Sequence, residues 1–385
     1  MAFVVRWFGE LLERRGLLTW ERRCSEAGLL TITNMWPNDE DPTYGPFIKR
    51  SVDGLGALGI DGDVLFIRGN QGFAAYVGAA VFVGMLRVAK NYALVHAHGG
   101  ETGLVARLYS GAPVVTSYLG SDLLAPQEGG SLLKLSRRVR SVMLRQHARL
   151  MTATTTKTQE MEAVLPARAR RRNWVIPDGI DLERFKPIDR GIARAHLGWS
   201  PDSRIVLFAG RPNCAIKRPW LAEQAAGLAR ADLPDLELVI ASGVDPDEMP
   251  YHYCAADCLL HTSASEGSPN VIKEALACNL PIVATPAGDI ERLVAGARPG
   301  GVLEADAGAL AREVIACCRT PIRSNGRSLT RDMSLETAAA ATLNLYQSLS
   351  DRFAILTRPM IGRRPRAGEH EQPHLAAAAA PLESG

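Results

Sequence analysis

Cys258-Leu259-Leu260-His261, a helical stretch over 269–278, and Pro281-Ile282-Val283-Ala284-Thr285 together decide the fold. Two short apolar, β-rich runs joined by one helix predict a β-α-β crossover and hence a parallel sheet. Ile205-Val206-Leu207-Phe208-Ala209 and Glu237-Leu238-Val239-Ile240 repeat the pattern upstream. An earlier set of runs does the same: Leu29-Leu30-Thr31-Ile32-Thr33-Asn34, Val64-Leu65-Phe66-Ile67, Ala93-Leu94-Val95-His96-Ala97-His98 and Pro113-Val114-Val115-Thr116-Ser117. Helical stretches at 72–89 and 101–110 separate them. The rhythm breaks at Pro177-Asp178-Gly179. The expected fold class is α/β, with two Rossmann-like, doubly wound domains facing a central cleft. Ligands should sit outside the carboxyl ends of the strands.

The expected organisation is an N-terminal extension over 1–28, a first Rossmann-like domain over 29–175 and a second over 176–335. A helix over 336–357 should pack back on the first domain, and a disordered tail should fill 358–385. Within 1–28, Phe3, Val4, Trp7, Phe8, Leu11 and Leu12 recur at helical spacing, as in an ordinary helix or one touching a membrane.

The chain has 385 residues, enough for two domains, and is 46% hydrophobic and 22% charged. Its net charge of +3 excludes a dedicated nucleic-acid binder. Seven cysteines include no CxxC pair, which reads as buried free thiols in a reducing compartment rather than a zinc site. With no membrane-length apolar run and no evident signal peptide, a cytoplasmic protein is expected.

The chemistry concentrates in Glu266-Gly267-Ser268-Pro269-Asn270-Val271-Ile272-Lys273-Glu274-Ala275. Glu266 falls in a loop after a strand, and Glu274 two turns into the next helix. Pro269 suits the first turn, where a missing N–H costs nothing. The free N–H groups of that helix start can hold a diphosphate. Glu266 could accept bonds from sugar hydroxyls and Glu274 from a ribose diol, although either glutamate alone also fits a solvated surface. Gly210-Arg211-Pro212-Asn213-Cys214-Ala215-Ile216-Lys217 supplies two cations that could stabilise a departing nucleoside diphosphate without a metal. Solvated charges are the other reading of that pair.

At this point the chain resembles the retaining GT-B glycosyltransferases of family GT4. Glu266 and Glu274 match that family's EX7E motif. Ile176-Pro177-Asp178-Gly179-Ile180-Asp181-Leu182-Glu183-Arg184-Phe185 is similar to its interdomain segment, Gly210-Arg211 with Lys217 to its phosphate-binding pair, and Asn34 through Phe47 to its first loop. The resemblance covers about 29–350, and the run Ser265 to Thr285 is nearest to the teichuronic-acid and exopolysaccharide type.

It implies that Glu266 binds the donor sugar, Glu274 the ribose, and Arg211 and Lys217 the diphosphate. Backbone at Gly267, Ser268, Asn270 and Val271 would help, and Gly45 would lie under the phosphates. It also implies retention of anomeric configuration, no cofactor and no metal. A histidine common in that family is replaced by Leu119, so His98, Tyr118 and Asp122 are the expected pocket-lining substitutes.

The basic segment Lys134, Arg137, Arg138, Arg140, Arg145 and Arg149 could meet a lipid-linked acceptor or an anionic membrane. Expected partners are therefore a nucleotide sugar, a glycan or lipid-linked acceptor and the inner membrane face, with no nucleic acid. A sugar-nucleotide epimerase and a non-catalytic binding protein are the competing readings.

Overall fold

The computed structural model describes residues 1–23, 28–38, 41, 44–124, 131–319, 322–351 and 353. Two sheets form it. The first runs β1 (Leu18–Glu21), β2 (Leu29–Thr33), β3 (Gly62–Ile67), β4 (Leu94–His98), β5 (Val114–Ser117), β6 (Ala153–Thr156) and β7 (Asn173–Val175), in the order β1-β3-β2-β4-β5-β6-β7. The second runs β8 (Arg204–Ala209), β9 (Leu236–Ala241), β10 (Cys258–His261), β11 (Ile282–Ala284) and β12 (Gly300–Val302), in the order β12-β11-β10-β8-β9. All pairings are parallel except β1 with β3. Every residue of β2, β3 and β4 is buried, as strands covered on both faces require.

The helices of seven or more residues are α1 (Ala2–Arg14), α2 (Pro46–Ala57), α3 (Phe73–Ala89), α4 (Gly100–Ala106), α5 (Ser131–His147), α6 (Arg190–Leu197), α7 (Pro219–Ala229), α8 (Met249–Ala255), α9 (Asn270–Ala277), α10 (Ala307–Arg319) and α11 (Leu335–Leu349). Strand order reverses between β2 and β4 in one sheet and between β8 and β10 in the other. Those two switch points are where loop residues can reach a ligand.

Ala2–Arg14 and Leu18–Glu21, within the segment expected as an extension, are instead built into the first domain. β1 is the antiparallel edge of its sheet, and α1 packs on α3 through Val5 and Leu12. A Trp20–Phe82 edge contact at 5.3 Å seals that join. α11 crosses from the second sheet to the first domain. Its Leu343, Leu345 and Tyr346 bury against Leu29, Leu94 and Val115. The tail 358–385 lies outside the described residues.

Gly45 caps α2 with φ +77°, and a Cβ there would sit 2.7 Å from the Met35 carbonyl carbon. Both the left-handed backbone and the close approach demand glycine. Gly45→Ala is expected to cost about 1–3 kcal/mol, read as a lower urea midpoint.

Candidate active site

β8 and β10 end side by side, and the loops after them are stitched together. Ala264 N–H donates to the Ile216 carbonyl at 2.8 Å, and the Thr262 hydroxyl donates to Lys217 O at 2.8 Å. Arg218, itself at φ +49°, donates through Nε to Thr262 O at 2.6 Å and through Nη2 to Ser263 O at 2.9 Å. This clamp fixes Lys217 beside Glu266, their charged atoms 2.5 Å apart.

His261, the last residue of β10, places Nε2 3.4 Å from the same Glu266 oxygen. Burial alone would raise the Glu266 pKa. The His261 contact and the Lys217 charge outweigh it, so the carboxylate stays ionised far below the usual range. Burial in turn lowers the His261 pKa, which favours the neutral ring.

α9 begins at this loop with no side-chain cap. The buried Ser268 Oγ and Asn270 Oδ1 have no hydrogen-bond partner, an arrangement that leaves polar capacity for a ligand at a helix start. Gly267 packs against Gly120 of the first domain: a Cβ on Gly120 would come within 3.0 Å of Gly267 N. The space beside this loop is an interdomain cleft of about 810 Å³. Glu266, Ser265 and Gly288 line one wall, and Arg138, Ser141 and Arg145 of α5 line the other. Ser141 Oγ is buried and without a partner.

Arg211, Glu274 and Val271 are engaged within the protein. Arg211 is 66% exposed at its side chain and reaches across to Asp41 Oδ2 at 3.2 Å. Glu274 is buried, accepting from Arg50 Nη2 of α2 at 3.3 Å and from the Tyr253 hydroxyl at 3.0 Å. Val271 is half-buried against the second domain's core.

Two placements correct the sequence reading. Tyr118 packs with Leu123, Leu144 and Met161, and its hydroxyl donates to Leu144 O, so it fills core rather than lining a pocket. Asp122 is saturated. Its Oδ2 accepts from Leu119 N–H at 2.9 Å and Gly100 N–H at 3.0 Å, and its Oδ1 from Arg140 at 2.9 Å. It caps a short helix instead of meeting substrate.

His98 stacks on His96 with centroids 4.3 Å apart and lines a second, small pocket with Lys157 and Asp178, away from Glu266. Burial, then the Lys157 charge, lowers the His98 pKa to about 3. Burial, then Arg107, lowers that of His147 to about 4. An unfolded histidine binds its proton near 6.5. Between these values the unfolded chain holds more protons, so stability falls as pH drops from about 6.5 toward 4. Thermal melts should show that slope, and His98→Asn should flatten it.

Sequence reasoning missed Arg50, Arg218 and His261. Only His261, at a strand's carboxyl end, carried a usable signal.

Residues 206–320 match the family model of group 1 glycosyl transferases. The D-inositol 3-phosphate glycosyltransferase 1 of Catenulispora acidiphila is 30% identical over 272 residues, 60% of this chain and 65% of that protein. The D-inositol 3-phosphate glycosyltransferase of Geodermatophilus obscurus is 28% identical over 312 residues, 69% of this chain and 68% of that protein. The chain thus spans about two thirds of the length of these relatives.

Among solved structures, sucrose-phosphate synthase from Thermosynechococcus elongatus superposes with a TM-score of 0.67 at 18% identity, covering 83% of this chain and 98% of that one. Anabaena Alr3699/HepE in complex with UDP superposes at 0.53 and 18% identity, covering 86% and 97%. The fold is GT-B, two Rossmann-like domains. Lys217, Glu266 and Glu274 all lie inside the group 1 segment.

Proposed function

We propose that this chain is a retaining glycosyltransferase that moves a sugar from a nucleoside-diphosphate sugar to an anionic acceptor. The observation that carries this is the Lys217–Glu266 pair at the mouth of the cleft, facing Arg138 and Arg145 across it. An incoming diphosphate brings more negative charge than one carboxylate. It draws Lys217 off Glu266, and the freed carboxylate accepts hydrogen bonds from donor-sugar hydroxyls. Lys217, the start of α9 and a re-aimed Arg211 then stabilise charge on the leaving diphosphate. Glu274 takes the ribose diol by exchanging Arg50.

The arginine wall suits an acceptor bearing a phosphate. A phosphorylated polyol fits the relatives' printed names. A lipid diphosphate, as in teichuronic-acid or exopolysaccharide assembly, offers the same chemistry. An epimerase would leave that wall without a role.

The test is donor turnover by purified protein with a panel of nucleotide sugars and both acceptor types. Transfer should persist in excess EDTA and vanish in Glu266→Ala. A protein with no affinity for any nucleotide would overturn the reading.

A further inference from the structure

α3 is a surface helix without a polar face. Of its residues only Arg87 is charged. Its inner side, Ala75, Ala79, Phe82, Val83 and Leu86, is fully buried on the sheet. Its outer side shows Phe73 at 82% exposure with Val77, Val81 and Val88 also exposed. A helix apolar all round is normally buried. At 17 residues α3 is no membrane span, and no described helix qualifies as one.

The neighbours continue the feature. The contacts α1 with α3, α3 with α4 and α4 with α5 set these helices side by side on one face of the first sheet. α1 exposes Phe3, Val4 and Trp7, and α4 exposes Leu104 with Leu108 just beyond it. α5 exposes Leu135, Val139 and Met143 at helical spacing. Four adjacent helices therefore turn apolar side chains outward in one patch, which a free monomer rarely carries without use.

Charge identifies the occupant. Arg87, Arg107 and Arg149 stand exposed on these helices and just beyond them. The acids of the four helices are engaged within the protein: Glu10 with Arg6, Glu101 with Arg140, and Glu13 with Trp20 N–H. A second copy of the chain would set this cationic patch, whose acids are already engaged, against a patch of the same sign. An anionic lipid surface satisfies both the cations and the apolar side chains.

We propose that the outer face of α1, α3, α4 and α5 is a docking surface for anionic bilayers. The docked chain would hold the α5 wall of the cleft at the lipid surface. This goes beyond the transferase reading and is measured without donor or acceptor, so either can fail alone.

The experiment is flotation of the full chain with phosphatidylcholine vesicles, with and without phosphatidylglycerol. Binding should require phosphatidylglycerol and weaken with salt. The triple variant V77Q/V81Q/V88Q should lose at least about tenfold in partitioning with an unchanged melt, because the positions are exposed. The variant R107Q/R149Q should weaken binding and reduce its salt dependence. No flotation with phosphatidylglycerol overturns the proposal. So does equal binding to both vesicle types or by the triple variant, and so does a stable dimer that the triple variant dissociates.

Discussion

Lys217→Ala is expected to lower turnover by about 10²- to 10³-fold, the cost of removing one preorganised donor from developing charge. The ammonium sits at the carboxyl end of β8 with 26% of its side chain exposed, held against Glu266 by the Arg218 clamp. Partial exposure discounts its part in folding, so the stability loss should stay near about 1 kcal/mol. The two readouts therefore separate: a large fall in kcat with a small fall in Tm. Lys217→Arg should recover part of the activity, because it restores charge but not a compact ammonium. Comparable fractional losses of activity and stability would reduce Lys217 to a structural cation.

Asp257→Ala should act in the opposite sense, through the fold. Asp257 precedes β10 and is buried, its Oδ2 accepting from Arg194 Nη2 at 3.1 Å and Ile205 N–H at 2.7 Å. Arg190 pairs with Oδ1 at 2.8 Å. Arg194 is 1% exposed and also donates to Ala255, Ser200, Pro201 and Ser203 carbonyls. Removing the carboxylate strands a buried guanidinium charge, which costs about 3–5 kcal/mol. The melt should drop by roughly 10 °C. Replacing both Asp257 and Arg194 by apolar residues should cost less than the sum of the single changes. A drop under about 1 kcal/mol would mean that water reaches this site.

The fold was legible because the strands that build the two switch points are apolar and evenly spaced. Leu29–Thr33, Leu94–His98, Arg204–Ala209 and Cys258–His261 all stand where the runs predict. The strands that escaped notice lack that signature. Ala153–Thr156 is mostly threonine yet wholly buried, its hydroxyls paired within the sheet, and Gly300–Val302 is two glycines and a valine with little to pack. β1 hid in a segment set aside as an extension, because its partner β3 is over forty residues away.

The site was legible where residues are close in sequence. Glu266 and the start of α9 share one loop, and that loop meets Lys217 because β8 and β10 are neighbours. Arg50 on Glu274 and Asp41 on Arg211 bridge the two domains, and no local pattern announces such pairs. Tyr118 and Asp122 misled for a physical reason. A short polar side chain at a helix start, as at Asp122, can cap the helix or meet a ligand, and a tyrosine beside it can fill core once its hydroxyl finds a carbonyl, as Tyr118 does.

The most direct measurement is the structure of this protein with a nucleoside diphosphate bound. The diphosphate should lie within hydrogen-bonding distance of Lys217 Nζ and the N–H groups at the start of α9, with Glu266 released toward the sugar position. A diphosphate bound elsewhere, with the Lys217–Glu266 pair intact, would contradict the assignment.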